Sequence, residues 1–455
     1  MKGLRIAATT LGCKVNQVET ASLLERFEEK GLRPVSFKEE ADVYLINTCA
    51  VTARAAYESR QLIRRALKRK PLLVAATGCY VQIGAREIVE RIEEPVLLVG
   101  QDRKIEIPDL VEELEVPLKE PRLLVGDVST LRRCVPFRLR RFPGHHRAFL
   151  RVQDGCNAFC SYCVVPYARG PARSLPEEEV IAQARRFRDE GYREIVVTGV
   201  HLGLWGVDLS PPRGLADLLQ ALLENVRGPR WRLSSLHPSE IDRPLLDLMA
   251  ENEAVCPHFH LSLQSGDDEV LAAMGRPYRA ALIEEVVREI KDRLPEAAIG
   301  ADVIAGFPTE SEEAFERTAE LLRRLPIAYL HVFPFSPRPG TRAAELPQIP
   351  PDRVAKRARV LQEISRAKKK AFYSQQIGRS LKVLVERYDA QRGLYRGLSE
   401  NYVVVHFAGP PGLEGSVVSV KVERLVNELL YGRMAPSQEG PSLAKQDLGV
   451  ARDVA

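Results

Sequence analysis

Residues 148–163 read AFLRVQDGCNAFCSYC. The apolar run Ala148–Gln153 fits a short strand, and the Asp-Gly pair that ends it turns the chain into a loop with three cysteines. Those cysteines, Cys156, Cys160 and Cys163, stand in C-x3-C-x2-C spacing. The same strand-then-loop order repeats downstream. Further strands are predicted near Glu194–Thr198, Trp231–Leu236, His258–Leu263, Ile299–Ile304 and Tyr329–Phe335, with helical periods between them. Six such units imply a partial barrel of parallel strands, whose ligand site is built at the carboxyl ends of the strands. Those ends read DGC, TGVHLG, SSLHP, QSGDD, AGFPTE and FPFSPRPG, rich in Gly, Ser, Thr and Asp. Two helix starts, Ser174-Leu-Pro-Glu177 and Thr309-Glu-Ser-Glu312, match the capping box.

Upstream, Arg5–Leu11, Val43–Thr48 and Leu72–Thr77 read as strands, and Gln17–Lys30, Arg54–Arg69 and Ala85–Ile92 as the helices that follow them. This βαβαβα order predicts a parallel sheet covered by helices. Cys13, Cys49 and Cys79 each fall within two residues after a strand, in LGCKVNQ, NTCAVT and TGCYVQ. Ligands of such sheets bind outside the carboxyl ends of the strands, so three cysteines far apart in sequence are expected to converge. Beyond residue 380, LKVLVERY, NYVVVHF and GSVVSVKVERL are β runs without helical period and predict a small β-barrel. The expected fold class is therefore α/β with a closing all-β module. An N-terminal unit would span 1–130, the partial barrel 142–375 and the small barrel 376–432, followed by a polar, disordered tail over 433–455.

The chain has 455 residues, 45% hydrophobic and 28% charged, enough apolar material for more than one core. Residues 1–12 lack the charged head and apolar centre of a signal peptide, and no apolar run approaches the roughly 18 residues of a membrane span. A soluble, cytoplasmic protein without a membrane partner is expected. Eight cysteines are too sparse for a disulfide scaffold, which leaves metal binding or redox chemistry. The net charge of +5, from 66 basic and 61 acidic residues, names no partner. Its distribution does: Arg132–Arg151 holds seven Arg and no acid, and residues 353–379 hold nine Lys/Arg against Glu363 alone. Both stretches are candidates to meet phosphates.

Three thiolates on one short loop can hold three irons of a [4Fe–4S] cluster and leave the fourth open to a substrate or cofactor. A structural zinc ion calls for four ligands, and the nearest extras, His145, His146 and Cys134, lie off finger spacing. The loop resembles that of the radical S-adenosylmethionine enzymes, and GCNAFCSYCVVPYARGPARS is similar to their methylthiotransferase branch. The resemblance covers nearly the whole chain, including a closing module similar to the TRAM RNA-binding fold. TLGCKVNQVET, NTCAVT and GCYVQ most resemble the branch that acts on threonylcarbamoyladenosine in tRNA, and HLSLQSGDDEVLAAMGRPY, DVIAGFPTE and HVFPFSPRPGT are further matches. Two positions depart from the pattern. Val18 stands where an aromatic residue is common, and His237-Pro238, which resembles the isopentenyladenosine branch, stands where an acid is frequent.

The resemblance implies two [4Fe–4S] clusters and S-adenosylmethionine. Cys156, Cys160 and Cys163 would form the catalytic site, and Cys13, Cys49 and Cys79 would bind the second cluster, which carries the transferred sulfur. A 5′-deoxyadenosyl radical would take hydrogen from C2 of the modified adenosine beside the anticodon, so both clusters would face one cavity. Tyr162, Gly199, Ser234, Gln264 and Asp302 are expected to contact S-adenosylmethionine, with Ser265 a further polar group at a strand end. His237 and His331 fall near strand ends as structural or catalytic groups; Cys134 and Cys256 read as structural thiols. The expected partners are the tRNA anticodon loop, an electron-donating reductant and a sulfur donor. The RNA surface would combine the linker arginines, the helix ending Lys368-Lys-Lys370 and the β module with Tyr388, Tyr395, Tyr402 and Phe407, the last two expected in its core. The alternatives are a methylthiotransferase acting on isopentenyladenosine or on a ribosomal protein side chain, and an RNA-binding protein whose cysteines hold structural metal.

Overall fold

Val43–Thr48 and Leu73–Gly78 are buried along their whole length, as strands covered on both faces must be. They form the centre of the first sheet in the structure of the protein, a computed structural model that describes residues 3–435. Strands β1 (Arg5–Thr10), β2 (Arg33–Val35), β3 (Val43–Thr48), β4 (Leu73–Gly78), β5 (Leu97–Val99) and β6 (Arg122–Leu124) lie in the order β2-β1-β3-β4-β5-β6, all parallel. The three-residue strands β2, β5 and β6 were not expected, because so short a run carries no period. Helices Lys14–Glu29 and Cys79–Arg91 begin earlier than their apolar periods indicate. Cys13 is the N-cap of one and Cys79 the first residue of the other, so both thiols meet the positive end of a helix dipole.

The larger barrel comprises β7 (Ala148–Arg151), β8 (Gln153–Asp154), β9 (Arg173–Ser174), β10 (Glu194–Thr198), β11 (Arg230–Leu233), β12 (Ser235–Leu236), β13 (His258–Gln264), β14 (Ala298–Ala305) and β15 (Tyr329–Pro334). Its wall runs β7-β10-β11 and then β12-β13-β14-β15, all parallel, with a break at Ser234 in what the sequence reads as one strand. Among the described residues β7 and β15 do not pair, so the barrel is open between its first and last strands. The first strand also divides: β8 leaves β7 to pair antiparallel with β9.

Neither capping box forms. Ser174 lies in β9, where its hydroxyl accepts the N–H of Gly206 at 2.8 Å, and helix Glu177–Asp189 starts after Pro176 without a side-chain cap. Helix Glu312–Arg324 is capped by Ser311, which accepts from Ala314, and not by Thr309. Thr309 stays in a turn that Glu310 closes by accepting the N–H of Gly306 at 2.8 Å.

Helix Pro351–Ser374 packs against β14 and β15 and leads into β16 (Ser380–Asp389), β17 (Leu394–Ser399), β18 (Val404–Ala408), β19 (Val417–Val426) and β20 (Leu429–Met434). These close as β16-β17-β18-β20-β19 around Val383, Val385, Tyr395, Val405, Phe407, Val420, Val422 and Leu430. Regular structure continues past Gly432, because Arg433 and Met434 pair with Lys421 and Val420. The remainder of the expected disordered tail, from residue 436, lies outside the described residues.

The two barrels are latched by charge. Glu194 opens β10 fully buried and is flanked by Arg230 at 2.6 Å and Arg232 at 2.8 Å. The same guanidinium groups donate to the carbonyls of Leu398, Ser399 and Glu400 in the small barrel. No helix among the described residues is long and apolar enough to cross a membrane.

Candidate active site

Hydrogen bonds between neighbouring strand-end loops bring Cys13, Cys49 and Cys79 together. Asn16 Nδ2 donates to the carbonyls of Leu11 (2.7 Å) and Thr48 (3.1 Å), tying the loops of Cys13 and Cys49. The Thr48 hydroxyl donates to the carbonyl of Thr77 at 2.6 Å, tying those of Cys49 and Cys79. Gly12 has φ +99°, and a Cβ there would stand 2.9 Å from Cys49 Sγ, so the approach of the thiols requires glycine. Burial, with Cys79 and Cys13 alongside, pushes the Cys49 thiol up to about 11. The buried Cys79 thiol is raised too. Left alone these groups stay protonated near neutrality; a metal centre is what converts such thiols to ligands.

The second triad follows β8. Its loop is pinned by Ser161, whose N–H reaches the carbonyl of Met274 (2.9 Å), whose hydroxyl reaches that of Ala273 (2.8 Å), and whose own carbonyl accepts from Ala343 (2.8 Å). Cys156 Sγ lies 3.3 Å from His201 Nδ1, and the other ring nitrogen of His201 meets Glu240. Burial pushes Cys163 up to about 12. In neither triad do the three sulfur atoms all lie within 4.8 Å of one another. Tetrahedral zinc would hold its thiolates roughly 3.8 Å apart, whereas a cubane takes each on a different iron and needs a wider set. Three thiols at each site are the donor chemistry that a [4Fe–4S] cluster with one open iron takes.

Arg169 joins the two halves of the site. It closes the short helix Val165–Arg169 after the cysteine loop and bonds Asp154 Oδ1 at 2.7 Å, before that loop. It also bonds Glu19 Oε1 at 2.9 Å and Asn16 Oδ1 at 2.6 Å on helix Lys14–Glu29, which starts at Cys13. Lys104 Nζ completes the buried network on Glu19 at 2.6 Å. Arg169 and Lys104 hold the Glu19 carboxyl below the usual range against the opposing effect of burial.

The expected cofactor contacts fall into distinct environments. The Tyr162 ring packs edge-on to Phe307 at 6.4 Å. Gln264 ends β13 at a register shift with φ +70° and, though buried, makes no side-chain hydrogen bond among the described residues. Ser265 instead bonds Thr318 at 3.1 Å and the N–H of Asp267, shaping a turn. Ser234 is half-buried at the β11/β12 break. The space beside Gly199 is filled by Gln153, whose Oε1 would lie 2.9 Å from a Cβ at that position.

Asp302 accepts from His260 Nε2 at 2.8 Å and lies 3.5 Å from His331 Nδ1. These histidines hold its carboxyl well below the usual range although burial acts the other way. His260 Nδ1 faces the Tyr329 hydroxyl at 3.1 Å, which in turn meets His258 Nε2 at 2.9 Å. With every proton directed toward Asp302, His258 ends the chain with a bare acceptor, its unpartnered Nδ1, and burial holds that ring neutral. The His237 ring lies 4.1 Å from that of His201, tilted to it, and meets Arg276 at 2.9 Å; burial and Arg276 push it down to about 2. Hydrogen bonding thus accounts for both histidine clusters.

Sequence reasoning passed over His201, Glu240, Arg169, Arg276 and Arg338. Among the buried arginines, Arg151, Arg169, Arg173, Arg230, Arg232 and Arg357 each meet a carboxylate. Arg276, beside Cys160 and Cys163, and Arg338, beside Cys49, meet none among the described residues. One unneutralised guanidinium accompanies each triad.

Comparison with known proteins agrees with this layout. Residues 150–322 match the Radical SAM superfamily, and residues 5–100 match the uncharacterized protein family UPF0004. The threonylcarbamoyladenosine tRNA methylthiotransferase MtaB of Aquifex aeolicus is 41% identical over 89% of this chain and 97% of its own length. This chain belongs to the MtaB methylthiotransferase family. The Bacillus subtilis MtaB is 35% identical over 92% of this chain and 93% of its own. The tRNA-2-methylthio-N(6)-dimethylallyladenosine synthase of Desulforamulus reducens is 30% identical over 94% and 95%. In fold, this methylthiotransferase is similar to the radical S-adenosylmethionine methyltransferase TsrM from Kitasatospora setae, with TM-score 0.55 and 16% identity over 76% of this chain and 77% of that one. As a radical S-adenosylmethionine transferase of this family it uses S-adenosylmethionine and two [4Fe–4S] clusters.

The basic surfaces of the methylthiotransferase differ from the expectation. Of the linker arginines, Arg138, Arg140, Arg141, Arg147 and Arg151 pair with Glu179, Glu25, Glu190, Glu386 and Asp154, so this stretch is matched by the chain's own acids. On helix Pro351–Ser374, Arg357 is buried against Glu310, and Lys368 bonds the carbonyl of Leu325. Arg353, Lys356, Arg359 and Lys370 are exposed and form no ion pair among the described residues. In the small barrel Tyr395 and Phe407 are core, Tyr402 stacks on His258 at 4.1 Å, and Tyr388 is exposed.

Proposed function

We propose that this methylthiotransferase attaches a methylthio group to C2 of threonylcarbamoyladenosine beside the anticodon of a tRNA. The carrying observation is the placement of two three-thiol sets at the carboxyl ends of two parallel sheets, locked together through Arg169. The relatives named for threonylcarbamoyladenosine, at 41% and 35% identity, support that base over dimethylallyladenosine, at 30%.

Cys156, Cys160 and Cys163 hold the cluster that meets S-adenosylmethionine, and Cys13, Cys49 and Cys79 hold the other. When bound, a cluster on the first set would supply the electron for cleavage of S-adenosylmethionine and one on the second the sulfur. Tyr162 offers a ring to the cofactor, Gln264 an unpartnered amide, and Ser234 and Gly199 line the adjoining strand ends. Arg276, buried near Cys160 and Cys163, would offer a cation to the methionine carboxylate of the cofactor. Arg169 keeps the two halves closed and water out. The tRNA lies along Arg353, Lys356, Arg359, Lys370 and Tyr388, joining the barrel of residues 142–375 to the module of 376–432, while residues 1–130 present the second triad. A cytoplasmic reductant and a sulfur donor complete the turnover.

Two variants test this assignment. Cys160→Ala is expected to abolish 5′-deoxyadenosine formation, while Cys49→Ala leaves cleavage detectable and stops methylthiolation of tRNA carrying threonylcarbamoyladenosine. Equal, undiminished cleavage in both would refute the division of labour. Product from tRNA lacking the threonylcarbamoyl group would refute the substrate.

A further inference from the structure

Past Pro334 the chain leaves β15 and runs along the carboxyl edge of the N-terminal sheet. Ser336 Oγ accepts the N–H of Ala53 at 3.0 Å, and Thr341 donates to the carbonyl of Arg338 through its N–H (3.1 Å) and hydroxyl (2.7 Å). The turn is thereby fixed against the loop that follows Cys49. Arg338 within it is only 7% exposed.

Its ionisable neighbours are Glu87, Tyr80, Cys49 and Arg60. The one carboxylate among them is already engaged: Glu87 pairs with Arg60 at 3.1 Å and Arg91 at 3.0 Å, and accepts the Tyr80 hydroxyl at 2.9 Å. The Arg338 guanidinium makes no hydrogen bond or ion pair among the described residues, and its Nε is buried without a partner. Six of the other seven buried arginines meet a carboxylate, and the seventh, Arg276, bonds His237. A guanidinium has five donors and no acceptor; here Nε is buried without a partner and neither Nη group makes a hydrogen bond among the described residues, so the fork is free to meet an acceptor. Its planar fork matches a planar or tetrahedral oxyanion.

We propose that Arg338 is the receptor for an oxyanion of the tRNA substrate, either the carboxylate of the threonylcarbamoyl group or a phosphate of the anticodon loop. This rests on the function proposed above and adds the residue that seats the acceptor base. Anchoring that oxyanion beside Cys49 brings the base to the triad from which sulfur is delivered.

The test uses holoprotein with both clusters reconstituted and anticodon stem-loops carrying adenosine or threonylcarbamoyladenosine at the acceptor position. If Arg338 binds the carboxylate, Arg338→Gln weakens the modified loop by roughly tenfold or more and leaves the unmodified loop unchanged. If it binds a phosphate, both loops weaken by the same factor and the salt dependence falls by about one unit of slope. Arg338→Lys should recover part of either loss. Unchanged affinity for both loops overturns the proposal. So does a loss of about four irons per chain in Arg338→Gln, with binding that follows iron content, because the residue would then serve the cluster. Wild-type protein that binds both loops but forms no methylthio product from the modified one refutes the substrate reading, while the binding comparison still decides the role of Arg338.

Discussion

Arg169 carries one positive charge between two carboxylates and an amide contributed by opposite sides of the site. Removing it would leave Glu19 and Asp154 buried with too few partners, which is worth about 3–5 kcal/mol in comparable networks. Arg169→Met is therefore expected to lower unfolding free energy in denaturant by that order. Arg54→Ala, which breaks an exposed pair with Glu58, should change it by no more than roughly 0.5 kcal/mol. The contrast separates a buried bridge from a surface one. Cys13, Cys49 and Cys79 were legible because each follows a strand run that ends abruptly at a parallel sheet edge, and Cys156, Cys160 and Cys163 because of their spacing in one loop. Arg169 was not, since its partner Glu19 is 150 residues away.

Among the elements, helix Pro351–Ser374 and the 132–151 linker looked alike in composition and differ in the fold. Of the linker arginines, Arg140 and Arg138 run past Glu25 and Glu179 of helices Lys14–Glu29 and Glu177–Asp189, which neutralise them. The helix turns only part of its charge inward, onto Glu310 and the carbonyl of Leu325. Replacing Arg353, Lys356, Arg359 and Lys370 by Gln is expected to weaken tRNA binding and flatten its salt dependence by up to about four units of slope. The same change at Arg138, Arg140 and Arg141 should leave the salt slope within about one unit. Equal losses from both sets would place RNA on the linker as well. The short strands β2, β5 and β6 and the true N-caps also escaped the sequence, because three residues show no period and a hydroxyl caps only where the backbone turns.

Across the whole molecule, the small barrel is held in place by Glu194 and its two arginines. Burial alone would raise the Glu194 carboxyl; Arg232 and Arg230 outweigh it and bring it down to about 2 from 4.5. A depressed carboxyl stabilises the fold fully above pH 4.5, and that contribution is lost as pH falls toward 2. Denaturation followed from pH 6 to pH 3 should show this loss in the native chain and a smaller one in Glu194→Gln. At neutral pH that variant should already be less stable by about 3–5 kcal/mol. An identical pH dependence in the two proteins would remove Glu194 from the account.

Strand and helix alternation, the placement of three thiols after strand ends and three in one loop, and the reaction class were properties of the sequence by itself, because each rests on residues near one another along the chain. Which charges are cancelled and which remain was decided only by the tertiary structure. Arg140 meets Glu25 from 115 residues away, whereas Arg338, near Glu87 and Cys49, forms no ion pair among the described residues. Coulomb attraction and desolvation depend on separation in space and on burial, and neither is set until distant segments pack.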